Sequence, residues 1–346
     1  MISDFVLKNK RSPNQEYTLH LFEKCNLACK FCWQDHSALK GVAEVRNKVP
    51  QLIAMLDKDE RFEFTINIMG GEIFADDLFD ENLQSDYFYL CDEVDRFTRK
   101  NNKKVVFNFV SNLVNNRQSQ IRALFADLKK NNIAYNLVTS YDPRGRFSHS
   151  NFELFKSNVE FFSDEISCIS MLITKPLISL MLNSGDRYFE YLYEKNFYIY
   201  FDYYSPADDY QLMMPNDDDL VVFFKYLVDN FPKVNPIREW IENSYNTMSC
   251  RSSKLLLGDG TECKCGNLIL QNKSVSPLFD VVIESNDNSA VEMNFMEKYN
   301  CLECKYFNRC TLGCFVKHSF TKRASTADCP FKATFAYIDR STVVNN

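Results

Sequence analysis

Two hydrophobic periods alternate along the first two thirds of the chain. Short runs rich in β-branched and aromatic residues predict strands over Tyr17–Glu23, Phe62–Met69, Lys104–Val110, Ala134–Ser140, Ile166–Ile173 and Phe197–Tyr204. Runs with helical spacing predict helices over Glu44–Lys58, Glu81–Asn101, Gln118–Lys130, Phe152–Phe162 and Leu177–Glu194. Strands that alternate with helices are typical of a parallel sheet. Because six units are fewer than the eight of a closed barrel, we predict an α/β fold with a partial (β/α)6 barrel, whose chemistry would lie at the C-terminal ends of the strands.

The pattern changes after Pro206. An acidic stretch leads into two further helical runs, predicted over Asp219–Asn230 and Ile237–Ser244. From about residue 246 the chain is rich in cysteine and glycine and too polar to fold on a hydrophobic core alone, so metal clusters would supply the missing stability. We therefore predict a barrel over residues 1–205, a helical bridge over 206–245 and a small cysteine-rich iron–sulfur domain over 246–346.

Composition and charge exclude some classes of partner. The 346 residues carry a formal net charge of −6, from 40 basic and 46 acidic side chains, which argues against a nucleic-acid partner. The start of the chain has no apolar segment typical of a secretion signal. The longest apolar stretch, Cys168–Leu182, is interrupted by Lys175 and Pro176 and is too short to span a bilayer. We expect a cytoplasmic protein with no membrane partner.

Thirteen cysteines are many for such a chain. In a reducing cytosol they are more often metal ligands than disulfides. Three lie close together, at Cys25, Cys29 and Cys32, and eight lie between residues 250 and 329. Cys91 and Cys168 stand apart, in a helix-like and a strand-like run, and we predict that they are buried free thiols.

The first cysteine group has the spacing C-x3-C-x2-C and directly follows the first predicted strand. Iron–sulfur clusters are normally held by four cysteines, so three thiolates on one tight loop would leave one iron of a four-iron cluster to an external ligand. The alternative is a zinc site, which would need a fourth protein ligand such as His36. The position after a strand favours the iron–sulfur interpretation.

This loop resembles the cluster motif of the radical S-adenosylmethionine (SAM) superfamily, including the aromatic residue, Phe31, before the third cysteine. The resemblance covers roughly residues 15–205. It implies that the open iron binds the amino and carboxylate groups of SAM. It also implies that reductive cleavage of SAM yields a 5′-deoxyadenosyl radical, which abstracts a hydrogen atom. The cofactor would do the difficult chemistry, and the protein would position it.

The ends of the next three predicted strands extend the resemblance. Met69-Gly70-Gly71-Glu72 is similar to the family's Gly-Gly-Glu motif, in which the glycines let the backbone approach SAM and Glu72 would accept from its ammonium group. A polar pair near the SAM ribose and a Ser-x-Asp motif have counterparts after the third and fourth strands, although ordinary strand-end capping is the alternative. The resemblance thus implies that SAM contacts Phe31, Gly70, Gly71, Glu72, Ser111, Asn112, Ser140 and Asp142.

The later cysteines resemble the SPASM extension of radical SAM enzymes, which binds two auxiliary four-iron clusters. By the family pattern, the distal cluster would be held by Cys301, Cys304, Cys310 and Cys329, and the nearer one by Cys250, Cys263 and Cys314. The spacing between Cys250 and Gly258 is slightly shorter than in the family, and Cys301-x2-Cys304 alone would also suit zinc. The implied cofactors are SAM and three [4Fe–4S] clusters.

Cys265 is the predicted fourth protein ligand of the nearer cluster. The residues from Leu255 to Cys265 predict a strand, a turn and a strand, hence a hairpin. Residues two apart on a strand point to the same face, so Cys263 and Cys265 would project together and Lys264 would point away. The alternative is that Cys265 is a spare thiol and that one iron stays open to substrate or water.

SPASM enzymes mostly act on peptides, so the resemblance implies a peptide-modifying oxidoreductase. We favour a maturase that installs a carbon–carbon, cyclophane or thioether crosslink in a ribosomally made peptide. One alternative is a formylglycine-type sulfatase maturase, although Lys264 stands where that branch has the aspartate that acts as its general base. Another is a small-molecule enzyme of the molybdopterin-cyclase kind, which has one C-terminal three-cysteine cluster and a Gly-Gly tail. A non-enzymatic iron–sulfur scaffold is the least favoured alternative, because it would not need the Gly-Gly-Glu motif and an open iron together.

The expected partners follow from the same resemblance. They are the peptide and a reductant such as flavodoxin or ferredoxin. Because the segment before Tyr17 is shorter than the leader-binding domain of many members, leader recognition would need either a separate leader-binding protein or another surface of this chain. The catalytic candidates are Asp202 and Tyr204, at the end of the sixth predicted strand. Alternation sends both to one face of the strand, but packing is the alternative role of a tyrosine-rich strand.

Overall fold

The computed structural model describes residues 14–32, 45–204, 213–242, 253–257, 260, 262–263, 296–297, 299–307, 309–310 and 329–344. Several sequence predictions concern residues outside these ranges, namely His36, Cys250, Gly258, Lys264, Cys265 and Cys314. The roles proposed for those residues stay predictions.

Six parallel strands form the body of the sheet, in the order β6-β5-β4-β3-β2-β1. They are β1 (Asn14–His20), β2 (Glu63–Met69), β3 (Lys104–Val110), β4 (Tyr135–Ser140), β5 (Ile166–Ile173) and β6 (Ile199–Tyr203). This confirms the predicted α/β fold with a partial barrel, and the bounds of β3 and β5 are as predicted. β1 begins and ends three residues earlier than predicted. The chain leaves the regular strand after His20 and instead bonds to the turn after β2, where the Leu21 amide donates to the Met69 carbonyl at 2.9 Å.

Helices connect the strands and cover the outer face of the sheet. They are α1 (Val45–Asp57), α2 (Glu81–Lys100), α3 (Gln118–Lys130), α4 (His149–Phe161), α5 (Lys175–Asn183) and α6 (Arg187–Glu194). The prediction of one helix over Leu177–Glu194 was wrong, because two helices occupy that segment. Gly185 takes a positive φ of 70° after the first, and the Asp186 side chain accepts from the Tyr188 and Phe189 amides, which begins the second.

The strands alternate between two environments. On β2, Phe64, Ile66 and Ile68 are at most 2% exposed and pack against the helices, while the alternate residues Thr65 and Asn67 face the concave side and are half-buried. The same alternation runs along β3. Since the outer layer is apolar and the concave side is partly polar and partly open, the fold supplies a rigid wall around an interior that can hold a polar ligand.

The C-terminal part contributes two strands that were not expected in the barrel sheet. β7 (Ser253–Leu257) pairs in parallel with β1, and β8 (Glu262–Cys263) pairs antiparallel with β7. Counted over the described residues, the sheet therefore has eight strands. The hairpin predicted over Leu255–Cys265 is present as far as the described residues go. The division of the chain at residues 205 and 245 stays a prediction.

Three further helices pack beyond β6: α7 (Asp217–Asn230), α8 (Ile237–Ile241) and α9 (Pro330–Val344). Their aromatic side chains form one cluster, in which the Trp240 ring centroid lies 5.1 Å from that of Phe224 and 5.3 Å from that of Phe335. The Arg309 Nε donates to the Trp240 carbonyl at 3.0 Å, which ties the cysteine-rich segment to α8. Among the helices in the described ranges, none is long and apolar enough to cross a membrane.

Candidate active site

Three cysteines lie on the loop that follows β1, at the C-terminal edge of the sheet. Cys25, Cys29 and Cys32 are all half-buried. The loop is tight, because the Cys32 amide donates to the Cys29 carbonyl at 3.0 Å and the Leu27 amide to the Cys25 Sγ at 3.4 Å. Within the described residues, no three His, Cys, Asp or Glu side chains converge on a single-ion site. Thiolates that each bind a different iron of one cluster need not meet at one point, as zinc ligands must.

Burial favours the protonated form of two of these thiols, Cys25 and Cys29. Desolvation raises the pKa of Cys25 to about 12 and the pKa of Cys29 to about 11. Free thiols with such pKa values stay protonated at neutral pH, whereas coordination to a metal removes the proton. Three half-buried thiols on one tight loop are a donor set that fits three irons of an iron–sulfur cluster.

Arg146 provides a positive charge beside the cysteines, and sequence reasoning missed it. Its guanidinium lies 5.3 Å from the Phe31 ring centroid, and its charge lowers the pKa of Cys29 against the effect of burial. It pairs with Asp142 at 2.7 Å, with only 12% and 8% of the two side chains exposed. The four-residue spacing of Asp142 and Arg146 was a visible signal, but only the fold brings the pair to the cysteine loop.

The loop after β4 closes directly over the cysteine loop. The Lys30 amide donates to the Gly145 carbonyl at 3.2 Å. A Cβ built on Gly145 would lie 3.1 Å from the Phe31 ring, so the ring packs closely against this glycine. Phe31, which belongs to the cysteine loop and is predicted to contact SAM, thus packs against the loop that carries Arg146.

The two glycines of the Gly-Gly-Glu motif approach the protein's own backbone. A Cβ on Gly70 would lie 2.5 Å from the Phe22 carbonyl oxygen, and one on Gly71 only 1.8 Å from that of Lys24. The Gly71 amide donates to the Phe22 carbonyl at 2.7 Å and the Glu72 amide to the Lys24 carbonyl at 3.0 Å. The observed reason for glycine is therefore contact with the stem of the cysteine loop.

Glu72 braces the strand ends in this structure, and its predicted contact with the SAM ammonium stays a prediction. The residue is fully buried. Its Oε1 accepts from the Ser111 hydroxyl at 2.7 Å and the Phe74 amide at 2.9 Å, and its Oε2 accepts from the Asn112 amide at 2.6 Å. Burial raises the pKa of Glu72, and the three donors oppose that rise.

Two polar residues follow β3, and one of them contacts the cysteine loop. The Asn112 Nδ2 donates to the Asn26 Oδ1 at 2.8 Å and lies 3.7 Å from the Cys25 Sγ. Ser111 and Asn112 are only 3% and 6% exposed. Asn112 therefore holds the cysteine loop against the end of β3, while Ser111 bonds to Glu72, roles that the sequence motif alone does not indicate.

At the end of β4, Ser140 is half-buried on the concave side and pairs in register with Ser170 of β5. Asp142 follows, with its Oδ1 accepting from the Leu172 amide at 2.8 Å and its Oδ2 from Arg146. Asp142 thus joins β5 to the guanidinium beside the cysteines. Of the two predicted SAM contacts here, only Ser140 faces the open interior.

A ladder of asparagines crosses the concave face. Asn136 donates to Asn108, and Asn108 donates to Asn67, each at 2.9 Å. Asn67 in turn donates to the Glu16 carboxylate. Adjacent strands in register bring these side chains together, which a period-2 pattern in separate strands could not reveal.

The two catalytic candidates differ in access. Asp202 faces the concave side of β6, where it is exposed to solvent yet surrounded by the barrel wall. Desolvation raises its pKa to about 6, with a smaller contribution from the charges of Glu16 and Asp142. Tyr204 follows the strand end and is 1% exposed, and Tyr203 packs on the helix side near Phe224. Asp202 is thus the catalytic candidate whose side chain faces the barrel interior.

The sequence matches no protein-family model and no curated protein. Among solved structures, the fold is similar to that of native anSMEcpe with bound AdoMet and Cp18Cys peptide, at a TM-score of 0.65 and 16% identity over 96% of this chain and 98% of that one. The chain has the radical SAM fold. SuiB from Streptococcus suis (TM-score 0.39, 14% identity, 90% of this chain and 76% of that one) is more distant. So is the radical SAM enzyme HemN, coproporphyrinogen III oxidase from Escherichia coli (0.42, 12%, 74% and 66%).

In addition to the radical SAM fold, the chain has a second group of cysteines in its C-terminal part. Four of them surround one pocket between the segment from Tyr299 and helix α9, and these are Cys301, Cys304, Cys310 and Cys329. Cys301 and Cys310 are buried, and the other two are half-buried. Burial raises the pKa of Cys329 to about 11, and the nearby Cys304 contributes to that rise. This is the set predicted for the distal auxiliary cluster. Of the nearer set, the structure describes only the Cys263 backbone, in β8.

Proposed function

We propose that the protein is a radical SAM enzyme. The proposal rests on one observation, the loop of Cys25, Cys29 and Cys32 at the C-terminal mouth of a partial barrel with a polar interior. With a [4Fe–4S] cluster and SAM bound, these cofactors would supply a 5′-deoxyadenosyl radical for hydrogen abstraction from a substrate.

The chain's own residues would hold and orient these groups. The three cysteines would ligate three irons, and Arg146 would offset the negative charge that their thiolates bring to a partly buried site. Glu72, Ser111 and Asn112 would keep the loop in place through their hydrogen bonds. Phe31, the backbone of Gly70 and Gly71, and the interior face around Ser140 would border SAM. Asp202, whose pKa is about 6, would take up a proton at its exposed carboxylate.

Cleavage of SAM tests this proposal. Anaerobically reconstituted protein with dithionite should form 5′-deoxyadenosine, and the triple variant Cys25→Ala, Cys29→Ala, Cys32→Ala should form none. The matched control is Cys91→Ala, which removes a buried thiol from α2 and should leave cleavage intact. Full activity of the triple variant would end the radical SAM proposal.

We further propose two auxiliary clusters, each of the four-iron type. The grouping of Cys301, Cys304, Cys310 and Cys329 around one pocket supports the distal one. The nearer cluster would use Cys250, Cys263 and Cys314, with Cys265 as the fourth ligand. Three clusters predict about twelve irons per chain. Iron and sulfide analysis of the reconstituted protein would contradict the auxiliary pair if it saturated at about four irons.

The proposed substrate is a ribosomally made peptide in which the enzyme installs a crosslink. Two features support a peptide, namely the likeness in fold to anSMEcpe, which was solved with a peptide bound, and the second cysteine group. Each crosslink removes two hydrogens, so co-expression with a precursor from a neighbouring gene should lower the peptide mass by about two daltons per linkage. Turnover of a metabolite, with every such precursor unchanged, would favour the small-molecule alternative.

A further inference from the structure

A surface groove of about 570 Å³ lies beside the loop after β4, between helix α4 and the turn that separates α5 from α6. Its walls include the aromatic residues Tyr141, Phe152 and Tyr188. Three basic residues, Arg144, Lys156 and Arg187, also line it, and we call the whole feature the cationic groove. A groove of this composition could hold an anionic protein surface.

The lining of the groove is net positive, with three basic side chains against one carboxylate. Arg144 and Arg187 are exposed, and neither makes an ion pair within the described part of the chain. Lys156 pairs with Glu153 at 2.8 Å. The one carboxylate in the lining, Asp186, accepts from the Tyr141 hydroxyl at 3.0 Å and from two amides at the start of α6. Since the chain as a whole carries −6, the groove is a local reversal of its charge.

The cationic groove adjoins the cysteine loop. Arg144 is next in sequence to Gly145, whose carbonyl accepts from the Lys30 amide at 3.2 Å and which packs on the Phe31 ring. Arg146, one residue further, faces inward to Cys29. One short loop thus has the groove on its outer side and the first cysteine group on its inner side, so a protein bound in the groove would lie beside that site.

We propose that the cationic groove docks an acidic one-electron donor protein of the flavodoxin or ferredoxin type, a proposal that rests on the proposed function. The donor loses one electron and the cluster held by Cys25, Cys29 and Cys32 gains it, with no bond made or broken. Complementary charge selects this occupant, because an acidic donor is repelled by the rest of an acidic surface and attracted here. Electron-transfer complexes are small and transient, as suits a shallow patch with few charges.

The test reverses the charges of Arg144 and Arg187 in the reconstituted holoenzyme. The variant is Arg144→Glu, Arg187→Glu, and the matched control is Lys129→Glu, Lys130→Glu. The control pair is exposed at the end of α3, which leads into β4 and so lies at the opposite edge of the sheet. Three quantities are measured at low salt. They are the affinity for flavodoxin by titration, 5′-deoxyadenosine formation with reduced flavodoxin, and 5′-deoxyadenosine formation with dithionite.

We expect the groove variant to lose at least about tenfold in flavodoxin affinity and in flavodoxin-driven cleavage, with dithionite-driven cleavage unchanged. The control variant should match the wild type in all three measurements. Added salt should weaken flavodoxin binding by the wild type and have little effect on the variant. Absence of dithionite-driven cleavage in the wild type would instead count against the proposed function, and the binding arm would still decide the docking proposal.

Three outcomes would overturn the proposal. Unchanged flavodoxin affinity in the groove variant would place the donor elsewhere. An equal loss with dithionite would mean that Arg144 and Arg187 support the cysteine loop rather than a partner. A raised KM for the peptide, with normal flavodoxin-driven cleavage, would assign the groove to an acidic segment of the substrate.

Discussion

Replacement of Glu72 by glutamine tests the hydrogen-bond network that holds the candidate SAM site together. The carboxylate is fully buried and accepts three hydrogen bonds, from the Ser111 hydroxyl and from the amides of Phe74 and Asn112. These bonds join the turn after β2 to the end of β3. Glu72→Gln keeps the size of the side chain but turns one acceptor into a donor.

The expected loss follows from the geometry. The amide oxygen of glutamine can occupy the Oε1 position and keep two donors, which leaves its NH2 group facing the Asn112 N–H at the present Oε2 position, 2.6 Å away. A lost hydrogen bond to a charged group costs about 1.5–3 kcal/mol, and a buried unsatisfied donor costs about 1–3 kcal/mol. The neutral amide avoids the desolvation that raises the Glu72 pKa, which offsets part of this. We expect a net loss of about 2 kcal/mol in the free energy of unfolding.

Urea denaturation of the cluster-free protein, followed by circular dichroism, measures this loss without the contribution of metal binding. The matched control is Glu63→Gln, because Glu63 is exposed and its ion pair with Lys104 spans 3.4 Å. The control should change the free energy of unfolding by less than about 0.5 kcal/mol. If Glu72→Gln were as mild as the control, the three hydrogen bonds would not be what holds the strand ends together.

The same region yields three further predictions. Gly71→Ala should destabilise the fold by about 3 kcal/mol, seen as a lower Tm, because its Cβ would lie 1.8 Å from the Lys24 carbonyl oxygen and backbone must move; an unchanged Tm would contradict that contact. Arg146→Gln should cost about 3 kcal/mol in urea denaturation, since it leaves the buried Asp142 carboxylate unpaired, and adding Asp142→Asn should restore part of the loss. Asp202 has a folded-state pKa of about 6, above its unfolded value of about 3.9, so its contribution to stability falls as pH rises from about 4 to 6. Asp202→Asn should therefore show a smaller fall in unfolding free energy over that range, and parallel curves for the two proteins would refute the raised pKa.

Local patterns in the sequence were enough to predict most of the strands and helices of the barrel. The period-2 runs predicted β3 and β5 with their observed bounds, because alternate residues of a strand face either the helices or the interior. The C-x3-C-x2-C loop and the Gly-Gly-Glu motif could be read because each lies within a few consecutive residues. The split between α5 and α6 also had a local cause in Gly185, which the helical period of the flanking apolar residues concealed.

Only the tertiary structure decided what lies beside these motifs. Arg146 reaches Cys29 across more than a hundred residues of sequence, and β7 joins β1 across a still longer separation, so no local period records either contact. The motif alone does not show that Glu72 is buried and accepts hydrogen bonds from three donors at the strand ends. The sequence thus determined most of the strands and helices of the barrel and the grouping of the cysteines along the chain. The burial of a carboxylate, the partner of a guanidinium and the charge of a groove depend on residues that only the folded sheet brings together, because burial and electrostatic interactions act through space.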